Sequence, residues 1–335
     1  MRKALFISQG QRREWINRVY PGETVALIRR HADLPAEIMD REDLAARSEE
    51  LRETEFLFST WGMPALTEEE IDRYFPALKA VFYAAGTVQG FARPFLDRGI
   101  TVVSAWAANA VPVAEFTLAQ ILLANKGFAQ NARMVQRDYA AARAFSESFP
   151  GNFSTKVGIL GAGMIGALVI GLLKPFQMDV WVYDPYLTEE RTAALGVGKA
   201  TLTEVFAQCQ TISCHIANLP ATVGILDGAC FSRMLPNATF INTGRGAQVV
   251  EADLIEALKA VPTSTAILDV TDPEPPVAGS ELLRLDNVVR TTHLAGSMGR
   301  EVERMGAYMA EELARFIAGK ALRYAVTLEM LETMA

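Results

Sequence analysis

The sequence predicts an α/β chain of two doubly wound units, each a parallel sheet covered by helices, and three observations predict it. The chain has 335 residues, and a single hydrophobic core rarely grows past ~250–300, so about two domains are expected. Short apolar runs alternate with helical patterns along its length, the rhythm of parallel sheets. Half of the residues are apolar and 21% are charged, which fills a large core and excludes a disordered or collagen-like chain.

In order, KALFIS, TVALIRR, TEFLFST, KAVFYAAG and GITVVSA read as the strands of the first unit. The opening MRKALFISQG has only about five apolar residues before it turns polar, shorter than the apolar region of a secretory signal, so it reads as a strand. From Val111 a long apolar helix follows, with Pro112 near its N-terminus, at a domain junction. Val157 to Leu173 carries no charge over 17 residues and by length mimics a single membrane anchor. Its internal pattern favours strand, turn and helix, because KVGIL at 156–160 is strand-like and Gly161, Gly163 and Gly166 follow in the spacing GxGxxG. MDVWVY comes next and ends at Asp184. TISCH (211–215), ATFINT (238–243), AILDV (266–270) and NVVRTT (287–292) continue the sheet. Past residue 297, Val302, Met305, Met309, Leu313, Phe316 and Ile317 share one face of a helix that Gly319 stops and that is expected to return to the first unit.

The 32 basic residues against 39 acidic ones give a net charge of −7, with no basic block beyond pairs such as Arg12-Arg13, so no nucleic-acid partner is expected. Cys209, Cys214 and Cys230 are too few for a disulfide framework, and no CxxC or paired-His spacing suggests a metal. A reducing cytoplasm fits, and no membrane partner is expected.

Each glycine of the motif has a physical task. Gly161 permits the turn out of the strand, Gly163 lets backbone approach a pyrophosphate, and Gly166 lets the helix pack on the sheet. The free N–H groups at Met164 and Ile165 then face the phosphates. Asp184 lies 18 residues after Gly166, where a carboxylate grips an adenosine ribose and repels a 2′-phosphate, favouring NAD over NADP. Its alternative is a turn residue before Pro185. A kinase loop is disfavoured, since neither HRD nor DFG follows. Ligands of open parallel sheets sit beyond the carboxyl ends of strands, and successive strands deliver Thr243 and Arg245, then Asp269 and Glu274, then His293. Arg245 offers a planar fork for a carboxylate, His293 exchanges a proton near neutral pH, and Glu274 is suited to hold the imidazole. Singly, these residues read as a surface ion pair, a core histidine and a solvated loop charge; beside a dinucleotide motif they read as an oxidoreductase site.

With GILGAGMIG at 158–166, YDP at 183–185, INTGRGAQVVEADL at 241–254, LDVTDPEPP at 268–276, HLAG at 293–296 and VAEFT at 113–117, the chain from about residue 80 resembles the D-isomer-specific 2-hydroxyacid dehydrogenase family. The resemblance implies an NAD-binding Rossmann domain at 105–296 inserted into a flavodoxin-like substrate domain at 1–104 and 297–335. It implies that Arg245 orients the substrate carboxylate, that His293 is the acid/base for the C2 hydroxyl with Glu274 as its partner, and that Asp269 lies near the nicotinamide. Ala85, Gly86 and Thr87 fall in the family's carboxylate loop, and a homodimer built through residues 113–145 is implied. Departures gather on the substrate side. Val88 stands where a second glycine is usual, Trp106-Ala107-Ala108 replaces Pro-Gly before Asn109, Met298 replaces threonine, and Leu219 replaces threonine after His215, which reads as structural. Ser59-Thr60-Trp61-Gly62 stands where phosphoglycerate-oxidising relatives often carry arginines. With Trp61, Phe82, Tyr83 and Trp106 nearby, an apolar pocket without a phosphate clamp is expected, core filling being the alternative for Phe82. The function implied is hydride transfer between NAD and C2 of a D-2-hydroxy or 2-oxo acid; the alternative is an NAD(H)-sensing corepressor of the same fold family. A third reading, a sugar- or ketol-directed oxidoreductase, does not need Arg245.

Overall fold

In the computed structural model, which describes residues 2–332, the strands form two seven-stranded sheets. The first sheet contains β1 (Arg2–Ile7), β2 (Ala32–Asp33), β3 (Ile38–Met39), β4 (Thr54–Ser59), β5 (Ala80–Tyr83), β6 (Thr101–Ser104) and, from the chain's end, a short strand Ala325–Val326. Their order is Ala325–Val326, β6, β5, β4, β1, β2, with β3 also paired to β1. All pairs are parallel except that of β6 with the terminal strand. Alternate residues serve opposite faces: Leu5, Ile7, Leu57, Val81 and Tyr83 enter one core, and Ala4, Phe6, Phe56, Phe58 and Phe82 the other. A sheet covered on both faces needs near-continuous apolar strands, which is what the sequence runs showed.

TVALIRR is not a strand. It lies in the helix Gly22–Arg29, where Thr24 and Ile28, one turn apart, are buried, and where Glu23 and Arg29 complement the helix dipole. Packing of that face against the helix Glu301–Ile317 overrides the β-branched bias, and Ala32–Asp33 takes the place beside β1. Glu301–Ile317 belongs to the first unit, Met1–Asn109 with Ser297–Ala335, and buries Val302, Met305, Met309 and Leu313.

The second unit is Ala110–Gly296. Its strands are β7 (Lys156–Leu160), β8 (Asp179–Tyr183), β9 (Gly198–Lys199), β10 (Thr211–Cys214), β11 (Thr239–Asn242), β12 (Thr265–Leu268) and β13 (Val288–Arg290). They pair in the order β13, β12, β11, β10, β7, β8, β9, all parallel. The uncharged stretch 157–173 is therefore strand, turn and the helix Met164–Leu173. Because the chain runs outward from β7 to β9 and returns to β10 on β7's other side, a crevice opens at the carboxyl ends of β7 and β10. The apolar junction helix runs from Trp106 to Ala124, so Pro112 is inside it rather than in its first turn; Trp106-Ala107-Ala108 extend the helix back to the end of β6. This is the one described helix long and apolar enough to cross a bilayer, and its Ala114 and Ile121 are in the second unit's core.

Candidate active site

At the end of β7, Gly161 turns the chain with φ +88°, and its N–H donates to the Tyr183 carbonyl at 2.8 Å. A Cβ on Gly161 would lie 2.8 Å from the His215 carbonyl oxygen, and one on Gly166 only 2.0 Å from the Gly161 carbonyl oxygen. Strand, turn and helix can therefore approach this closely only with glycine at both positions. Gly163, the N-cap of Met164–Leu173, is different: a Cβ there would meet nothing within 4 Å. The helix starts directly after it, so the first-turn N–H groups of Met164 and Ile165 have no intrahelical acceptors, an end that suits a dinucleotide phosphate. Asp184 follows β8 and accepts the N–H groups of Ala162 and Tyr186, each at 2.8 Å, which sets the carboxylate against the glycine loop. Arg191 escaped the sequence reading. Its guanidinium donates to the Ala162 carbonyl at 2.6 Å. The available signal was a cation in the first turn of the helix Glu189–Leu195, a position the helix dipole disfavours.

Because Asn242 pairs with Leu268 and Leu268 with Arg290, β11, β12 and β13 end level, and the segments after them share one edge. Glu274 and His293 meet there, with Glu274 Oε1 2.8 Å from His293 Nδ1. Arg245 is part-buried; burial pulls its pKa below the ordinary arginine value, and the nearby Glu274 carboxylate opposes that shift. Its turn is held by Asn242, whose amide donates to the Arg245 carbonyl at 2.9 Å while its Oδ1 accepts the Gly244 N–H at 3.0 Å. His293 adopts φ +59°, a left-handed conformation that costs a non-glycine residue about 1–3 kcal/mol. Buried Asp269 holds it there. The Asp269 carbonyl accepts the His293 N–H at 3.0 Å, and its carboxylate accepts from the Thr291 hydroxyl (2.6 Å) and from the N–H groups of Leu294 (2.8 Å) and Ala295 (2.9 Å). The carboxylate contacts of Asp269 are thus made within the loop that carries His293, while its N–H donates to the Asn242 carbonyl at 3.0 Å.

Thr243 is buried, its hydroxyl 3.1 Å from that of Thr117 and 3.4 Å from His215 Nδ1. Nε2 of His215 lies 3.0 Å from the Ser213 hydroxyl, and burial pushes this imidazole down to about 3, so it is neutral at pH 7.

Ala85, Gly86 and Thr87 lie in the first unit, after β5. The Ser104 hydroxyl lies 2.8 and 2.7 Å from the carbonyls of Ala85 and Gly86 and shares its one proton between them. Val88 points into the core, so the residue replacing the second glycine leaves the loop's outer face to backbone. Of the aromatics expected around the substrate pocket, Tyr83 lines a cavity and the others pack on neighbouring rings. Phe82 is fully buried and stacks on Phe58, Trp61 packs edge-on to Trp15, and Trp106 packs edge-on to Tyr324. That cavity, of about 790 Å³, is lined by Met63, Tyr83 and Phe91 together with Thr87, Gly62 and the charged Arg12, Asp40, Arg41 and Glu42. The sequence separates Arg12 from Tyr83 by some seventy residues, and only the parallel order β1, β4, β5 brings their strand ends together.

Residues 118–295 match the profile described as D-isomer specific 2-hydroxyacid dehydrogenase, NAD binding domain. The chain is 33% identical over 237 residues to a D-3-phosphoglycerate dehydrogenase of Archaeoglobus fulgidus, a match that takes in 70% of this chain and 44% of that protein. It thus spans under half the length of that curated relative. Among solved structures it is similar to D-mandelate dehydrogenase of Rhodotorula graminis, with TM-score 0.80, 20% identity and coverage of 97% of this chain and 98% of that one. It is also similar to D-lactate dehydrogenase of Escherichia coli, with TM-score 0.66, 21% identity and coverage of 97% and 100%. These likenesses show the two-domain Rossmann-like fold.

Proposed function

Since the chain belongs to the D-isomer-specific 2-hydroxyacid dehydrogenase family, we propose that it transfers a hydride between NAD and C2 of a D-2-hydroxy acid, or of the corresponding 2-oxo acid in reverse. The observation that carries this reading is the 2.8 Å Glu274–His293 pair beside Arg245, on the strand edge that also bears the dinucleotide loop.

NAD, when bound, accepts the hydride, and its reduced form returns it. The protein's own residues do the rest. Glu274 accepts the Nδ1–H of His293, which leaves Nε2 as the basic nitrogen facing outward. In oxidation Nε2 takes the C2 hydroxyl proton as the hydride leaves C2; in reduction the protonated ring returns it to the carbonyl oxygen. Glu274 stabilises the imidazolium in both directions. Arg245 pairs through its fork with a substrate carboxylate, and Ala85, Gly86 and Thr87 are the first unit's proposed substrate residues. Gly161, Gly163, Met164, Ile165 and Gly166 would hold the cofactor's phosphates, Asp184 the adenosine ribose, and Thr243 and Asp269 would support the nicotinamide end.

The protein is further proposed to act as a cytoplasmic homodimer. Three free, buried cysteines support a reducing compartment, and Phe128 (56% exposed), Tyr139 (74%) and Phe153 (70%) supply apolar surface near the junction helix. The test of the activity is a panel of 2-oxo acids followed by NADH absorbance. Turnover of at least one supports a dehydrogenase; cofactor binding with no turnover across the panel favours the sensing alternative.

A further inference from the structure

Arg191 lies in a segment with three carboxylates, Asp184, Glu189 and Glu190, yet forms an ion pair with none of them among the described residues. Its guanidinium bonds instead to a neutral acceptor, the Ala162 carbonyl, at 2.6 Å. The segment that delivers it is itself fixed. The Leu187 N–H donates to the Asp184 carbonyl at 3.2 Å, the Leu187 side chain is buried, and Lys199 donates to the Leu187 carbonyl at 2.6 Å. Thr188 then caps the helix Glu189–Leu195 by accepting the Arg191 N–H at 3.2 Å.

Ala162 is the middle residue of Gly161-Ala162-Gly163, and side chains from this one segment hold both of its peptide groups. Asp184 accepts its N–H at 2.8 Å, and Arg191 donates to its carbonyl. In a planar trans peptide the C=O and the following N–H point in opposite directions. Fixing the Ala162 N–H therefore turns the Gly161 carbonyl the other way, and that oxygen does lie against Gly166, where a Cβ would come within 2.0 Å. By the same geometry, fixing the Ala162 carbonyl turns the Gly163 N–H away from Arg191. No described group accepts that N–H, and Gly163 caps the helix Met164–Leu173, so it joins the free donors of that helix start. Glycine tolerates a wide range of φ, so without a restraint the Ala162–Gly163 plane is free to flip and to set a carbonyl oxygen where the donor stood.

We propose that Arg191 is a positioning residue for NAD: together with Asp184 it fixes the two peptide planes that flank Ala162, so that the Gly163 N–H is already set as a phosphate donor before the cofactor arrives. This rests on the assignment of the glycine loop to the cofactor's phosphates and deepens it. Arg191 acts through the loop and touches neither the phosphates nor the ribose.

The test replaces Arg191 by Met, which keeps the length and removes the donors, and by Lys, which keeps one charged donor. NADH and NADPH are titrated in parallel by fluorescence. Arg191→Met is expected to weaken both by about tenfold, with their ratio as in the wild type because the pyrophosphate is common to them, and Arg191→Lys to recover part of the loss. Hydrogen exchange of the cofactor-free protein should quicken within residues 161–165 and nowhere else, with the melting temperature unchanged. Unchanged affinities in Arg191→Met overturn the proposal, as does a loss confined to NADPH, which would make Arg191 a contact of the 2′-phosphate. A lower melting temperature with faster exchange throughout the second sheet makes Arg191 a residue of the fold alone and overturns it too. A wild type that binds neither dinucleotide sinks the phosphate assignment instead, and the exchange comparison, which needs no ligand, then decides by itself whether Arg191 sets the loop.

Discussion

The chemistry proposed for this protein depends on a histidine that the chain presents in an unfavourable backbone conformation. His293 stays at φ +59° because Asp269 gathers the Thr291 hydroxyl before it and the Leu294 and Ala295 amides after it, so the direction of the imidazole is decided by a carboxylate that need not touch substrate. Replacing His293 by Ala should lower kcat by about 10²–10⁴, the usual contribution of a positioned acid/base, with the NADH dissociation constant unchanged by fluorescence titration. A variant with near-normal turnover removes His293 from this role. Arg245→Lys keeps the charge but loses the fork, and should raise KM for the best 2-oxo acid by about tenfold or more. Unchanged KM and kcat would make Arg245 a structural cation only.

At the scale of elements, the two ends of the dinucleotide crevice are built differently. On one side, Asp184 is tied to the glycine loop through the Ala162 and Tyr186 amides, so Asp184→Ala should both weaken NADH binding and reduce the preference for NAD over NADP. Tighter wild-type binding of NADP(H) than of NAD(H) in parallel titrations would contradict the ribose assignment. On the other side, His215 joins the end of β10 to Thr243 beyond β11 and, through Thr243, to Thr117 of the junction helix. Its folded pKa, about 3, lies below the ordinary 6.5, so between those values the unfolded chain binds a proton that the folded chain does not. Stability from this group is full above pH 6.5 and is lost as pH falls toward 3. The urea midpoint should therefore drop between pH 7 and pH 5, and His215→Gln should shrink that drop; an identical drop in the variant would show that other groups cause it.

For the whole molecule, the chain enters the first sheet, leaves to build the second, and returns through Glu301–Ile317 and Ala325–Val326 to complete the first. The central strands of each sheet are buried on both faces, so each unit has a core of its own. The exposed aromatics Phe128, Tyr139 and Phe153 are the surface that a second copy would cover. Light scattering at micromolar concentration should report a dimer, and Tyr139→Lys with Phe128→Lys should shift it toward monomer. A wild-type monomer under those conditions refutes the assembly.

By itself the sequence determined where nearly every long strand lies, because a strand buried on both faces must be a continuous apolar run, and it determined the glycine turn, because the steric demand there is local. It also placed Arg245, Glu274 and His293 after successive strands, and level strand ends turned that order into proximity. Tertiary packing decided the rest. Gly22–Arg29 is helical because Thr24 and Ile28 have a face to bury, and the junction helix begins at Trp106 because β6 ends there. Asp269 gathers a loop more than twenty residues away, Arg191 reaches back to Ala162, and Arg12 reaches the cavity of Tyr83. Local periodicity records which face of an element is apolar; it holds no record of which distant charge is left without a partner once the sheets have formed.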